Sequence, residues 1–196
     1  MRYVILLALL LCLPVRGEAW QVMGGGATTA QCSATTDYIG NESFIEMSGT
    51  TGDLTSDRMM VSLHTPNCSS GCSNGALETV YLYHSSTATD NAKVCIYADD
   101  GDSTPDSGDI LVGCSDAMTS SAQEDVTASI AGDISCSSPY WMVLVASANT
   151  WMSRRTATGT TYHQVVSGAY ASPPNTLSGT WTTASITTDA HVTIGP

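Results

Sequence analysis

The sequence predicts an all-β protein, a sandwich of two antiparallel β-sheets stabilised by disulfide bonds. Short runs rich in Val, Ile, Thr, Tyr and Trp alternate with clusters of Gly, Asn, Asp, Ser and Pro about every ten residues, which is typical of β-sandwiches. Beyond the N-terminal segment, no run of about ten residues repeats apolar residues at helical spacing. Six cysteines lie beyond that segment, and an even number in an exported chain predicts disulfide bonds.

The N-terminal segment predicts secretion. Met1–Arg2 precedes the apolar run Tyr3–Leu13, Pro14 ends the run, and Gly17–Ala19 places small residues where a signal peptidase cleaves. A membrane-spanning helix needs about 20 apolar residues, so this shorter run is not expected to insert stably in a membrane. The sequence therefore predicts a signal peptide over residues 1–19 and an extracellular protein.

Two regions follow the predicted signal peptide. Residues 20–36 contain three consecutive glycines and no periodicity, which predicts a flexible N-terminal arm able to pair with the sheet edge of a neighbouring copy. Residues 37–196 are predicted to form one β-sandwich domain. Six basic against 18 acidic residues give a formal net charge of −12 and argue against nucleic-acid binding, which needs basic residues to neutralise phosphates.

The first five predicted strands are runs of β-branched, aromatic and aliphatic residues between clusters of turn residues. They are Ser43–Met47, Arg58–His64, Glu78–His84, Lys93–Tyr97 and Ile110–Cys114.

Five more strands are predicted in the remainder of the chain: Asp125–Ile130, Tyr140–Ala146, Thr160–Val166, Thr180–Thr187 and His191–Ile194. Apolar and polar residues alternate in the first of these, which predicts one solvated face. The second is apolar throughout, which predicts a central strand covered on both faces. So many strands in one unbroken domain are most simply arranged as a jelly roll.

The six cysteines predict three disulfide bonds, although the sequence alone does not choose among the possible pairings. We favour Cys95–Cys114, because two extended segments joined by a turn-rich loop bring these residues side by side. Cys68–Cys72 is favoured because it closes a tight Ser-Ser-Gly turn, which leaves Cys32–Cys136. A zinc site formed by His64, Cys68 and Cys72 is the alternative, but Pro66 disfavours the helix that this spacing requires.

Four stretches occur in an order found in a set of secreted modules: Lys93–Asp102, Pro105–Val112, Tyr140–Val145 and Gly168–Asn175. In that set an Ile-Tyr-x-Asp strand leads through a Gly/Pro turn to a short strand, and a Tyr-Trp-hydrophobic strand supplies the core. From about Leu82 to Ile194 the chain resembles secreted bacterial and phage-associated jelly-roll modules, which are similar to galactose-binding-like domains. The resemblance implies an accessory binding or surface role and no catalytic residue.

The motifs that suggest catalysis have simpler explanations. Gly71–Gly75 matches the Gly-x-Ser-x-Gly nucleophile elbow, which requires a following helix, whereas a strand-like run follows here. We therefore predict a tight surface turn. The four histidines, which fall in separate predicted strands without metal-ligand spacing, are His64, His84, His163 and His191. The sequence therefore predicts a protein that is not an enzyme.

The densest charge in the chain is a cluster of carboxylates, for which a calcium site is one of two interpretations. Calcium prefers six to eight oxygen ligands, which such a loop can supply. The alternative is a solvated hairpin loop whose Asp, Gly, Ser and Pro residues serve turn geometry. The residues are Asp99, Asp100, Asp102, Asp106 and Asp109.

Candidate ligand-binding residues are aromatic and basic side chains in predicted loops, because β-sandwiches that bind sugars use aromatic rings as platforms. Trp151, in a loop-like segment beside Arg154 and Arg155, is the best candidate, and Tyr170 and Trp181 are lesser ones. Trp141 is predicted to be a core residue. Two N-glycosylation sequons begin at Asn41 and Asn67.

Two functions fit these features. The first is a secreted, non-catalytic module that recognises a glycan or a cell-surface partner. The second is a structural subunit of an extracellular filament, coat or virion surface, which binds copies of itself through sheet edges or the N-terminal arm.

Overall fold

The computed structural model describes residues 31–41, 52–54, 57–84, 91–119, 124–147, 150–152, 154–188 and 190–196. This part of the chain contains no helix, and therefore none long and apolar enough to cross a membrane. It contains fourteen strands: β1 (Tyr38–Gly40), β2 (Gly52–Leu54), β3 (Arg58–His64), β4 (Asn74–His84), β5 (Asn91–Ala98), β6 (Ile110–Cys114), β7 (Met118–Thr119), β8 (Glu124–Ser129), β9 (Asp133–Ser135), β10 (Tyr140–Ala146), β11 (Thr150–Met152), β12 (Arg154–Val165), β13 (Thr182–Thr188) and β14 (Ala190–Gly195).

The strands form two antiparallel sheets that pack face to face. Sheet A has the order β1-β14-β4-β11-β2, with β8 and β9 also paired to β4. Sheet B has the order β13-β12-β3-β10-β5-β6, with β7 also paired to β5. Early strands pair with late ones, β1 with β14, β3 with β12 and β5 with β10, as in the nested order of a jelly roll. The predicted two-sheet antiparallel sandwich is confirmed.

Most strand predictions agree with the structure. Three predicted strands have the observed bounds, namely Arg58–His64, Ile110–Cys114 and Tyr140–Ala146. Six others occur with shifted or extended bounds. Ser43–Met47 lies outside the described residues. The strands that sequence reasoning missed, β1, β2, β7, β9 and β11, have only two or three residues, which is too short to display a periodicity.

The main core lies between the two sheets. Alternate side chains of β10, beginning with Tyr140 and Met142, pack against residues of sheet A such as Val80, Leu82 and Val192. Because side chains alternate across a strand, the intervening residues of β10 point to the opposite face of sheet B. These residues are Trp141, Val143 and Val145, and all three are buried.

A second core covers the other face of sheet B. Residues 166–181, here called the strap, cross this face and bury Trp141 and Tyr97 beneath Ala169 and Leu177. The Tyr97 hydroxyl donates a hydrogen bond to the Pro174 carbonyl at 2.7 Å. The prediction that Tyr140–Ala146 is covered on both faces is confirmed, and the second cover is a loop rather than another sheet.

Asp57 holds the start of the strap. Its carboxylate accepts hydrogen bonds from the backbone N–H groups of Gly168 (3.0 Å) and Tyr170 (3.1 Å). Its own backbone has a left-handed φ of 58°. The Asp57 N–H donates a hydrogen bond to the Ala146 carbonyl, and the Asp57 carbonyl accepts one from the Val166 N–H. A short polar side chain tolerates this conformation better than most others.

The described residues form three disulfides, of which sequence reasoning paired one correctly. Cys95–Cys114 is confirmed, because the two residues lie directly opposite each other in the β5–β6 register. The predictions Cys68–Cys72 and Cys32–Cys136 are wrong, since the bonds are Cys32–Cys72 and Cys68–Cys136.

The pairing of β9 with the start of β4 explains the difference. It brings Cys136, which directly follows β9, next to the loop that precedes β4, where the Cys136 N–H bonds to the Ser73 carbonyl. Cys68 therefore forms its disulfide with Cys136, and Cys72 forms its disulfide with Cys32. Because both of these cysteines are in disulfides, the zinc alternative with His64 is also wrong.

We predict that Asp57→Ala lowers the free energy of unfolding by about 2–4 kcal/mol, because it removes two acceptor bonds and places alanine in a left-handed conformation. Asp57→Asn keeps an acceptor oxygen and tolerates this conformation, so it should lose only about 1 kcal/mol. Denaturant unfolding of both variants measures the difference. Equal losses would show that Asp57 does not hold the strap in this way.

Candidate functional site

The outer face of sheet A presents a group of aromatic and hydroxyl side chains. Val80, Leu82 and Val192 point into the main core, so Tyr81 of β4 and His191 of β14 point outward. His191 lies opposite Tyr81 in the β4–β14 register, and Tyr38 lies opposite Thr193 in the β1–β14 register. Three strands that are remote in sequence therefore bring these side chains together.

These residues form a shallow pocket, here called the outer-face pocket, with a volume of about 400 Å³. The rings of Tyr81 and His191 are stacked, with centroids 4.7 Å apart and planes at 10°. Tyr38 meets His191 edge-on, at 6.1 Å and 71°. The lining comprises Ala34, Thr35, Thr36, Asp37, Tyr38, Tyr81, His191 and Thr193.

Gly40 allows β1 to lie close beside this part of β14. It has a φ of +106°, and a Cβ atom placed there would lie 2.5 Å from the Ala190 carbonyl oxygen and 2.7 Å from the Met142 side chain. Only glycine accommodates both the conformation and the contact. The position of Tyr38 at the edge of the pocket depends on this close approach.

Residues 33–37 form one wall of the pocket and are held by the Asp37 carboxylate. Its oxygens accept hydrogen bonds from the Ser33 N–H (2.9 Å), the Ser69 N–H (2.8 Å) and hydroxyl (3.0 Å), and the Thr36 hydroxyl (3.2 Å). Burial by itself raises the pKa of Asp37, but these bonds lower it by more, so the pKa falls below its usual range. The carboxylate is therefore ionised at neutral pH.

The last part of the predicted N-terminal arm is attached to the domain. Cys32 is buried and forms a disulfide with Cys72, and the residues that follow reach Asp37 through the hydrogen bonds just described. Residues 20–30 of that arm lie outside the described residues. The Cys32–Cys72 disulfide therefore attaches the wall of the pocket covalently to the rest of the domain.

The predicted ligand-binding residues are divided among different elements. Trp151 lies in β11 of sheet A, so the expectation of a loop there is wrong, whereas Arg154 and Arg155 lie in β12 of sheet B. The side chains of these three residues lie outside the described part of the structure.

The two lesser candidates, Tyr170 and Trp181, pack in the strap. Trp181 donates its indole N–H to the Leu177 carbonyl at 2.7 Å. The Lys93 ammonium lies 4.9 Å from the centroid of the Tyr170 ring and bonds to the Tyr170 carbonyl. Both rings are half-buried against the second core, where they help to close the strap on sheet B.

The acidic loop between β5 and β6 forms two groups of carboxylates that share Asp100. Within each group, Asp99, Asp100 and Asp109 or Asp100, Asp102 and Asp106, the oxygens lie within 4.8 Å of one another. Every one of these carboxylates also accepts a backbone N–H from the loop itself. These bonds fold the loop as the turn-geometry alternative describes.

Two members of the loop connect it to the rest of the domain. Asp99 accepts the indole N–H of Trp141 at 3.0 Å, which satisfies the polar atom of a ring that the second core buries completely. Asp109 is fully buried and accepts N–H groups from Asp100 and Asp106. Burial raises the pKa of Asp109, and repulsion from Asp99 and Asp106 raises it further. The two backbone hydrogen bonds lower the pKa but do not offset these effects.

The catalytic motifs behave as structural features in the described residues. Ser73 precedes strand β4 rather than a helix, and Cys72 is in a disulfide. The predicted surface turn occurs at the start of the motif, at Gly71, whereas Asn74 and Gly75 already belong to β4. Ser62 and His64 share a 2.8 Å hydrogen bond, but the Ser62 side chain is only 5% exposed. Burial lowers the pKa of His64 to about 4, so this ring is neutral near pH 7.

The two sequon residues differ in their surroundings. Asn67 is exposed, and its backbone N–H and carbonyl both pair with Tyr38. Ser69 of the same sequon donates to Asp37. Asn41 is half-buried after β1, and the remainder of its sequon lies outside the described residues.

Sequence reasoning missed the outer-face pocket. The alternation Val80-Tyr81-Leu82-Tyr83 does predict outward tyrosines on β4. The partner His191 is remote along the chain, and the sequence contains no signal that β14 pairs with β4.

No protein-family model matches this sequence, and no curated protein matches it. The resemblance to secreted jelly-roll modules therefore stays a prediction, and functional inference depends on the geometry of the site.

Calcium binding at the acidic loop also stays a prediction of the sequence. Its expected signature is a thermal midpoint that rises with free calcium, because an ion bound only to the native state stabilises it. Asp102→Asn removes a charge from an exposed member of the loop and should weaken this response. A midpoint that is independent of calcium and of chelator would contradict the prediction.

We predict that Asp37 makes the stability of the protein fall in acid. Because its folded-state pKa lies below the ordinary value of 3.8, its contribution is complete above that value and is lost as the pH falls through the lower, folded-state pKa. Asp37→Asn should lower the free energy of unfolding at pH 7 by about 1–3 kcal/mol and flatten this acid limb.

Asp109 should affect the pH dependence of stability in the opposite direction to Asp37, because its pKa is raised rather than lowered. Its raised pKa means that stability decreases as the pH rises from 3.8 towards the folded-state value, so Asp109→Asn should flatten the curve in that higher window. Denaturant unfolding between pH 2 and pH 7, at about 1 pH-unit steps, measures both effects. An unchanged acid limb in Asp37→Asn would contradict the role assigned to Asp37.

Proposed function

We propose that this protein is a secreted, non-catalytic β-sandwich module that recognises a glycan on a surface through the outer-face pocket. The observation that carries this proposal is the stack of Tyr81 on His191, beside threonine hydroxyls and open to solvent on the face of sheet A. Aromatic faces pack against the C–H surfaces of sugars, and polar groups around them provide hydrogen bonds.

The construction of the pocket supports recognition rather than packing. The Tyr81 ring is half-buried, and its hydroxyl has no hydrogen-bond partner among the described residues. Thr35 and Thr36 are exposed at the wall. A ligand therefore has both an apolar surface and polar groups to contact. The wall is held by a disulfide and by Asp37, which keeps the site preorganised.

Three disulfides and a predicted signal peptide support an extracellular location. The absence of catalysis is part of the proposal, and it is supported by the burial of Ser62, the partner of His64. The pocket itself joins rings, hydroxyls and one carboxylate whose oxygens already accept four hydrogen bonds.

Recognition is favoured over self-assembly because neighbouring segments cover two of the sheet edges. At the edge of β6, the Leu111 N–H bonds to the Asn175 carbonyl of the strap. At the edge of β1, Tyr38 and Asn67 exchange two backbone hydrogen bonds. Edge strands protected in this way do not offer an open row of donors and acceptors to another copy.

We predict that Tyr81→Ala weakens glycan binding at least about tenfold, because loss of an aromatic anchor typically costs 1–2 kcal/mol or more. Tyr83→Ala is the matched control: Tyr83 lies on the same strand and face, two residues along, and does not line the pocket. A glycan array identifies ligands of the mature protein, and titration calorimetry compares the variants at equal thermal stability.

Two outcomes would overturn the proposal. Arrays without any ligand, in calcium and in chelator, would exclude glycan recognition. Equal loss of binding in Tyr81→Ala and Tyr83→Ala would place the site elsewhere. Electron microscopy of the same material tests the alternative, because regular filaments would favour a structural subunit.

A further inference from the structure

The outer-face pocket contains a negative charge that its own hydrogen bonds do not neutralise. Asp37 lines the pocket, and the residue is 1% exposed. Its four donors among the described residues are neutral groups, two backbone N–H groups and two hydroxyls. None of the described residues that line the pocket is a lysine or an arginine. With the His191 ring neutral, the described lining therefore has a net negative charge in a partly desolvated setting, where charges interact more strongly than in water.

The aromatic rings of the pocket also favour a cationic ligand. The face of an aromatic ring is negative and attracts cations within about 6 Å of its centre. Tyr81 and His191 are nearly parallel, whereas Tyr38 stands at 71° to His191, so the pocket has ring surfaces in two orientations. A cationic group in the pocket would lie near ring π-electrons and near the Asp37 carboxylate together.

The net charge of the whole chain also favours cationic ligands. With a formal net charge of −12, the protein repels acidic ligands and attracts basic ones before contact. A site for sialylated, sulfated or uronic-acid sugars needs arginine or lysine to pair with their anionic groups, and the described residues of this lining include neither.

We infer that the outer-face pocket selects sugars that carry a protonated amine, the deacetylated amino sugars, over N-acetylated and acidic sugars. The ammonium group contacts the rings of Tyr38 and Tyr81 near Asp37, and the sugar hydroxyls meet the threonines of the wall. This inference depends on the proposed function, because it names the ligand class of the same site.

The test uses two ligands with the same sugar backbone and linkage: a fully deacetylated chitosan tetramer, which carries amines, and the N-acetylated tetramer, which carries neutral acetamido groups in their place. Titration of the mature protein, at a pH where the amines are protonated, should give a Kd about tenfold lower for the amine form. The preference should shrink at high ionic strength and vanish when the amines lose their protons.

Variants separate the pocket from general attraction between opposite charges. Tyr81→Ala should lose the preference, Tyr83→Ala should keep it, and Tyr81→Phe should keep it because the ring remains. Equal binding of the tetra-amine by Tyr81→Ala and the native protein would show charge attraction alone and overturn the inference. Chemical-shift changes in labelled protein should centre on Tyr81 and His191.

The remaining outcomes distinguish this inference from the proposed function. If the N-acetylated tetramer binds as tightly as the amine and depends on Tyr81, charge selection is wrong and glycan recognition stands. If neither tetramer binds but an array gives another Tyr81-dependent ligand, the inference again fails alone. An array with no ligand at all overturns both.

Discussion

Burial of strand β10 on both faces is the constraint on which the rest of this structure depends. All seven of its side chains are buried, so the hydrophobic effect demands a cover on each side of sheet B. Sheet A supplies one cover through the main core. The strap supplies the other, held down by Asp57 and by the Tyr97 hydroxyl. The two-layer sandwich thus acquires a partial third layer without a third sheet.

Carboxylates accept many of the hydrogen bonds that connect separate segments of this protein. With 18 acidic and six basic residues, few carboxylates can find a cationic partner. Asp37, Asp57, Asp99 and Asp109 instead accept N–H groups from backbone or indole, and each connects segments that are separated in the fold or closes a loop. Bonds to an ionised acceptor such as Asp37 are stronger than bonds between neutral groups. They also leave negative charge in place, which is why the outer-face pocket keeps an unpaired Asp37 charge.

The site is a product of pairing between strands that are distant along the chain. Tyr38, Tyr81 and His191 come from β1, β4 and β14, and Cys32–Cys72 attaches the wall that completes the pocket. The residues that the sequence put forward, Trp151 with Arg154 and Arg155, fall instead on different sheets. Tyr170 and Trp181 proved to be strap residues with a packing role.

The sequence by itself determined the β class, the buried central strand and the solvated face of β8, and it favoured the Cys95–Cys114 bond. Each of these depends on local information, because side-chain alternation, turn residues and two strands joined by one loop act over about ten to twenty residues. Only the tertiary structure decided the other two disulfides, the strap and the pocket. These depend on which strands become neighbours, and that choice is made by burial summed over the whole core, which no short stretch of residues encodes.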